Sequence, residues 1–227
     1  SIDPFMSCYN VFFLRGDQNP EALFIRSDCN FSEFEKHATP RGASGNGGLG
    51  VYQTLVDAFA MKDGSLPITG YDGNYGKPII NKESGYTERG FSAQKDIRKT
   101  KYNLYRNCPG ATVDSVGADG CTYNQVAASG TYNMYVGREP RFYATIMYDG
   151  MQWIQRPSDY ATIEPTGKIQ TGYYQLDPSV TDESKFYSGM DTRAGGGESW
   201  NATYTGYYLK KYINPADGDH RNKINAI

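Results

Sequence analysis

The chain has 227 residues, 23 Lys+Arg against 25 Asp+Glu, and a formal net charge of -2. A balance this close to neutral leaves no basic footprint for nucleic acid or for an anionic membrane surface, and no apolar run is longer than that of Val11 to Leu14, far too short to cross a bilayer as a helix. Only 38% of residues are hydrophobic while 14% are aromatic, with 20 Tyr and 26 Gly. Much of the apolar content therefore sits in rings with a polar tip, suited either to a half-buried binding face or to a loop-rich domain with a tyrosine-built core.

In chain order, Ser1 to Phe5 reads as a vector-derived scar, with Met6 beginning the single piece that runs to Ile227. Phe12 to Phe13 and Ala22 to Arg26 suggest an early strand pair. Val51 to Lys62 is the strongest helical pattern, with Val51, Leu55, Ala58 and Phe59 on one face, and Asp63-Gly64 supplies its stop. A short helix is expected around Ala93 to Lys99. Pro140 fixes its own backbone, lacks an N–H and pushes Glu139 towards extended geometry. The segment Arg141 to Tyr148 is expected to be a strand, reached directly or through a helical turn, and Tyr207 to Ile213 another. Glycine clusters at Gly42 to Gly50, Gly70 to Gly76, Gly117 to Gly120 and Gly195 to Gly197 mark loops. The sum is an α+β chain, loop-rich, with few short helices and strands.

Several apparent motifs fail. Gly45-Asn46-Gly47-Gly48-Leu49-Gly50 spells a dinucleotide fingerprint, but the polar, proline-broken Ala38 to Ser44 stands where a buried strand is required. Asp217 to Asn222 begins like a calcium loop and then lacks its glycine and distal glutamate. The two histidines, His37 and His220, have no metal-ligand spacing, and no serine-nucleophile elbow occurs. No metal, cofactor or catalytic residue is expected. Cys8 and Cys29 read as small buried hydrophobes. Cys108 and Cys121 flank a polar Pro/Gly loop: an exported location permits a disulfide between them, and a reducing one leaves two thiols.

Four segments in order carry a resemblance. Asn19-Pro20-Glu21-Ala22-Leu23-Phe24, Leu55-Val56-Asp57-Ala58-Phe59-Ala60-Met61-Lys62-Asp63-Gly64, Arg138-Glu139-Pro140-Arg141-Phe142-Tyr143-Ala144-Thr145-Ile146 and Thr205-Gly206-Tyr207-Tyr208-Leu209-Lys210-Lys211-Tyr212 resemble the N-P-E-x-I-F, L-V-D-A-Y-x-M-x-D-G, D-P-R-F-x-A-T-I and T-G-Y-Y-L-R-K-Y signatures of the SusD/RagB family, with Glu139 in the usual aspartate place. The resemblance assigns structural parts to Asn19, Pro20, Glu21, Asp57, Arg138, Pro140, Arg141, Phe142, Gly206 and Tyr207. Tyr71 to Tyr132 matches no family segment. Because family members carry tetratricopeptide-type helices, a signal peptide and a lipidated cysteine, the chain is expected to be an excised fragment of a mainly α-helical SusD-like parent.

The resemblance implies a non-catalytic binding protein, lipid-anchored on the outer membrane in its full-length form. It would capture oligosaccharides, or peptides as in RagB-like members, for import through a SusC-like TonB-dependent transporter. Sugar rings pack their C–H faces on aromatic rings while polar groups bond their hydroxyls. Aromatics in polar or glycine-rich loops are therefore the candidate platforms: Phe31, Phe34, Tyr71 and Tyr75, joined by Trp153, which matches a tryptophan often seen after the family's central motif. Packing on the chain's own core, or on helices of the parent, is the competing reading for each. A glycoside hydrolase is the rival class, but no pair among Asp57, Asp63, Asp72, Glu139 and Asp149 is spaced by sequence as its two carboxylates must be in space. A structural docking module is the third reading. With helices missing, an exposed apolar face is expected near Arg141 to Tyr148 or near the carboxy-terminal strand.

Overall fold

The computed structural model describes residues 2–14, 18–21, 31–43, 45–73, 76–98, 100, 125–152, 168–174, 179, 181–182, 187–193 and 202–213. Among them are four helices, α1 (Pro4–Phe13), α2 (Phe31–Ala38), α3 (Gln53–Ala58) and α4 (Pro140–Thr145), with 3-10 turns at Arg41–Ala43, Lys82–Ser84 and Asn133–Tyr135. The strands are β1 (Ile68–Asp72), β2 (Lys77–Ile80), β3 (Asp96–Ile97), β4 (Gln125–Ala127), β5 (Ile146–Met147), β6 (Tyr173–Tyr174), β7 (Tyr187–Ser188) and β8 (Tyr208–Leu209). The mixed content of short elements agrees with the α+β reading. Residues divide into two compact units, one of Ser1–Tyr9 with Val51–Ile146, the other of Asn10–Gly50 with Met147–Ile227.

The first unit pairs β1 with β2 and β3 with β4, both antiparallel. Asp3 starts α1 by accepting the N–H groups of Phe5 and Met6 at 3.1 and 3.3 Å, with Pro4 at the first helical position, where a missing N–H costs nothing. Phe5, in the stretch read as a scar, is buried and sits 6.3 Å from the Tyr143 ring. The expected strand at Phe12 to Phe13 is therefore the last turn of a helix. Asp3, Pro4 and the spacing of Phe5, Cys8, Tyr9 and Phe12 dictate it. Cys8 is half-buried rather than fully enclosed, and its thiol is free. Burial pushes that thiol up from its ordinary value.

α3 is shorter than Val51 to Lys62, and it turns a different face inward. Val56 and Asp57 are buried, while Leu55 is exposed. It ends at Phe59, whose backbone is extended, because the carbonyls that would continue it are taken by Arg138, described below. Gly64, at φ +87°, completes the Met61 to Ser65 turn that follows. The helix expected at Ala93 to Lys99 is instead β3. The Ser92 hydroxyl bonds the Gln94 carbonyl and N–H, holding a turn there, and β4 supplies a ladder partner. Arg141 to Tyr148 is not one strand: Glu139 is extended, Pro140 opens α4, and β5 follows only at Ile146. Nor is this segment an exposed apolar face. Phe142, Tyr143, Ile146, Met147 and Tyr148 are all buried, as are Tyr207 and Tyr208 near the carboxy terminus.

The second unit pairs β6 with β7, Tyr173 against Ser188 and Tyr174 against Tyr187. The Gly45 to Gly50 segment follows α2 and a 3-10 turn, not a strand, which removes the dinucleotide reading. A Cβ at Gly45 would overlap the Thr39 carbonyl, and Gly50 forms a bridge with Tyr208. β8 covers only two of the seven residues expected to be extended, since Lys211 and Tyr212 turn, Tyr212 with φ 71°. Ala22 to Arg26, Cys29, Cys108 and Cys121 lie outside the described residues.

Candidate functional site

Arg138 is fully buried in the first unit. Its Nη2 donates to the carbonyls of Val56 and Phe59 at 2.6 and 2.8 Å, and its Nη1 to that of Met134 at 3.1 Å. Two of these acceptors belong to the end of α3, where carbonyls have no intrahelical donor and the helix dipole favours a cation. The guanidinium carbon lies 4.9 Å from the Phe142 ring centroid and 5.4 Å from that of Tyr86. Burial lowers the pKa of Arg138 from its ordinary value, and the carbonyls and ring faces replace the lost water. The Tyr143 hydroxyl donates to the Tyr135 carbonyl and accepts the Arg138 N–H.

The other signature residues make these contacts, each within its own unit. A Glu139 carboxyl oxygen accepts the Ala60 N–H at 3.0 Å, and the Glu139 N–H donates to the Ala60 carbonyl at 2.9 Å. The same carboxylate pairs with both arms of Arg141. Lys62 N–H donates to the Gly137 carbonyl at 2.7 Å. A bidentate Asp96–Arg98 pair accepts the Gly137 N–H and donates to the Arg138 carbonyl. Asp57 is buried and accepts from Gln53 and from the Tyr71 hydroxyl, both at 2.7 Å. In the second unit Asn19 accepts the Glu21 N–H, with Pro20 between them, and donates to the Val11 carbonyl. There too Gly206 adopts φ +81°, which a side chain would strain, beside buried Tyr207.

These contacts clamp the Met61 to Asp63 turn beside the Asn133 to Gly137 segment, and an open cleft of about 370 Å³ lies there. Its walls are Met61, Lys62, Asp63, Ser84, Gly85, Thr87, Asn133, Val136 and Gly137. The volume is within the range of small-ligand sites. The Ser65 hydroxyl and N–H hold Asp63 below the ordinary carboxylate range. Asn133 donates its amide to the Arg89 carbonyl at 2.9 Å and receives no hydrogen bond on its side-chain oxygen from a described residue. Among the described residues no cluster of three or more metal-ligating side chains occurs.

Of the aromatics singled out from sequence, Tyr71 is 44% exposed on β1. Burial, then its bond to Asp57, raises its pKa to about 12. Its hydroxyl is thus tied to the fold and only its ring flank faces outward. Phe34 belongs to the other unit, half-buried and edge-on to Tyr212 at 6.3 Å. Phe31 begins α2, its side chain outside the described set, as are Tyr75 and Trp153. Sequence reasoning missed the cleft and the exposed Phe91 near it. Phe91 follows Gly90 at φ +78°, so the glycine-loop criterion that picked out Tyr71 would have found it.

A family model described as the SusD family matches residues 15–226. The chain belongs to the SusD family. All four signatures lie inside the match, and those of the described residues form the contacts above. The family is one of nutrient-binding surface proteins, generally without catalysis. None of the curated proteins compared with the chain matches it, and neither does any solved structure.

Proposed function

We propose that this chain is the glycan-capturing part of a SusD-like outer-membrane lipoprotein, working without catalysis and delivering its ligand to a SusC-like TonB-dependent transporter. The observation that carries the reading is the family match over residues 15–226. The arrangement of the signature residues supports it: Arg138 and Glu139 are spent on backbone groups, Asp57 on the side chains of Gln53 and Tyr71, and Phe142 is buried, which leaves loops and clefts to meet the ligand. Phe31, Phe34, Tyr71, Tyr75 and Trp153 are the proposed sugar platforms from sequence.

A glycan and peptide array tests the reading. Binding to oligosaccharides, with no reducing ends released from a polysaccharide panel above a blank, is the expected result. Binding to peptides alone would transfer the chain to the RagB-like mode. Sustained hydrolysis abolished by replacing one Asp or Glu would make it a glycoside hydrolase.

A further inference from the structure

Phe91 is 71% exposed, a large apolar ring left in water although its backbone is fixed. It bridges to Tyr132, and the next residue, the cleft-lining Asn133, donates its N–H to the Gly90 carbonyl at 2.9 Å. Gly90 is held in the left-handed region, and a Cβ there would press on the Asn133 amide nitrogen at 3.2 Å. The ring itself is propped. It meets Tyr132 edge-on at 5.3 Å, Tyr132 meets Tyr135 at 6.1 Å, and Tyr135 stacks on the fully buried Phe142 at 6.4 Å. An unbroken ladder of rings thus runs from the signature hub to a solvent-facing end. Ordering an apolar ring in water without a partner is unfavourable, and a platform of this kind gains from a ligand with an apolar face.

The cleft, whose walls include Asn133 but not Phe91, is lined by groups of both hydrogen-bonding senses. Lys62, which makes no side-chain hydrogen bond or salt bridge with a described residue, brings donors. Asp63 and the Asn133 side-chain oxygen bring acceptors, and the Thr87 hydroxyl, which accepts the Arg89 N–H at 3.3 Å, can still donate. Adjacent Lys62 and Asp63 cancel in charge, so neither a polyanion nor a polycation is favoured. Hydroxyl groups, which donate and accept, suit such a wall. Resting on the glycan-capture reading, we propose that this cleft is a binding subsite for a neutral, polyhydroxylated sugar ring, with Lys62 as a hydrogen-bond donor to ring hydroxyls and Phe91, outside its walls, as the stacking platform for a neighbouring ring of the same oligosaccharide.

Calorimetric titration of the chain with neutral hexasaccharides (gluco-, xylo- and manno-configured), with oligouronates and with a mixed peptide panel tests it. We expect a neutral hexasaccharide to bind best, Phe91→Ala to weaken it about tenfold and Phe91→Trp to keep or tighten it. Lys62→Met should weaken it about threefold, the loss of one hydrogen bond at an open site. Both replaced side chains are exposed, so loss of folding does not blur the result, and the thermal midpoint of each variant checks this. If the unaltered chain binds no glycan at all, the capture reading falls and the subsite with it. If it binds a neutral glycan and both Phe91→Ala and Lys62→Met stay within twofold, only the subsite is overturned. A preference for oligouronates overturns the neutral-ligand assignment.

Discussion

Among the described residues each unit holds a charged side chain with no exposed surface that is bonded to backbone, and the two charges are opposite. In the first, Arg138 gives its N–H groups to carbonyls at the end of α3 and at Met134. In the second, Asp191 takes the N–H of Gly42 at 3.0 Å and that of Gln170 at 2.8 Å, while its own carbonyl accepts the Tyr208 hydroxyl at 2.8 Å. Loop-rich folds leave backbone groups without ladder partners, and such groups are costly when buried. A cation solves the problem where carbonyls are left over, and an anion where amides are. The solutions are not equivalent, because a guanidinium reaches three acceptors from one planar fork and also offers its faces to Tyr86 and Phe142, whereas a carboxylate only accepts.

The asymmetry predicts the largest effect at Arg138. Replacing it with alanine strands three carbonyls and opens a cavity against two rings, at a cost of about 4 kcal/mol, enough to unfold a marginal domain. Arg138→Lys keeps the charge but not the fork, and should lose about half as much. Urea denaturation of both variants checks the order, and a lysine variant as stable as the parent would reduce the hub to a simple charge. Asp191→Asn should cost less, about 2 kcal/mol, since the amide retains one acceptor while turning a donor towards the second N–H. A loss at Asp191→Asn exceeding that at Arg138→Ala would reverse the comparison.

The units should also respond oppositely to pH. Lys210, in the second, is 3% exposed, and burial lowers its pKa to about 7. Between that value and the ordinary lysine value the unfolded chain binds more protons than the folded one. Stability therefore falls as pH drops through this window and levels off below about 7, with a slope of at most about 1.4 kcal/mol per pH unit. Chemical denaturation at several pH values between neutral and mildly alkaline should show that slope, and Lys210→Met should flatten it. An unchanged slope in the variant would assign the pH response to other groups.

The signatures were the legible part of the chain, and the hub explains why. Pro140 and the flanking Glu139, Arg141 and Phe142 act on backbone within a few residues or on a segment that is itself a signature, so residue type and spacing encode their tasks. The extended Glu139 and the turn after α3 follow from local rules. What escaped was non-local. The inward face of α3 is set by Arg138 and Tyr71, distant in sequence, which recruit Val56 and Asp57 and leave Leu55 outside. β3 exists because β4 pairs with it across some thirty residues, where a charged, helix-compatible stretch gave the opposite signal. α1 is hidden for another reason: its N-terminal signals, Asp3 and Pro4, fall in the stretch that reads as a scar. The cleft near Phe91 unites three segments, and no single window contains it.

Tyr71 offers the finest test of the first unit. Its hydroxyl donates to Asp57 at 2.7 Å while its ring is 44% exposed, and its pKa is raised to about 12 by burial and then by that carboxylate. The folded state then holds the proton more tightly than the unfolded chain, the reverse of Lys210. The contribution is complete below about pH 10, the ordinary tyrosine value, and is lost as pH rises towards 12. Exposure to water screens the bond, so Tyr71→Phe should cost only about 1 kcal/mol at neutral pH, and the gap between variant and parent should close in strong alkali. Ultraviolet titration of the phenols gives an independent reading, since one late-ionising tyrosine of the 20 should vanish from the curve of the phenylalanine variant. If the curve keeps its late step, or if the two proteins differ equally at pH 8 and pH 12, the bond to Asp57 is not what holds the β1–β2 hairpin against α3.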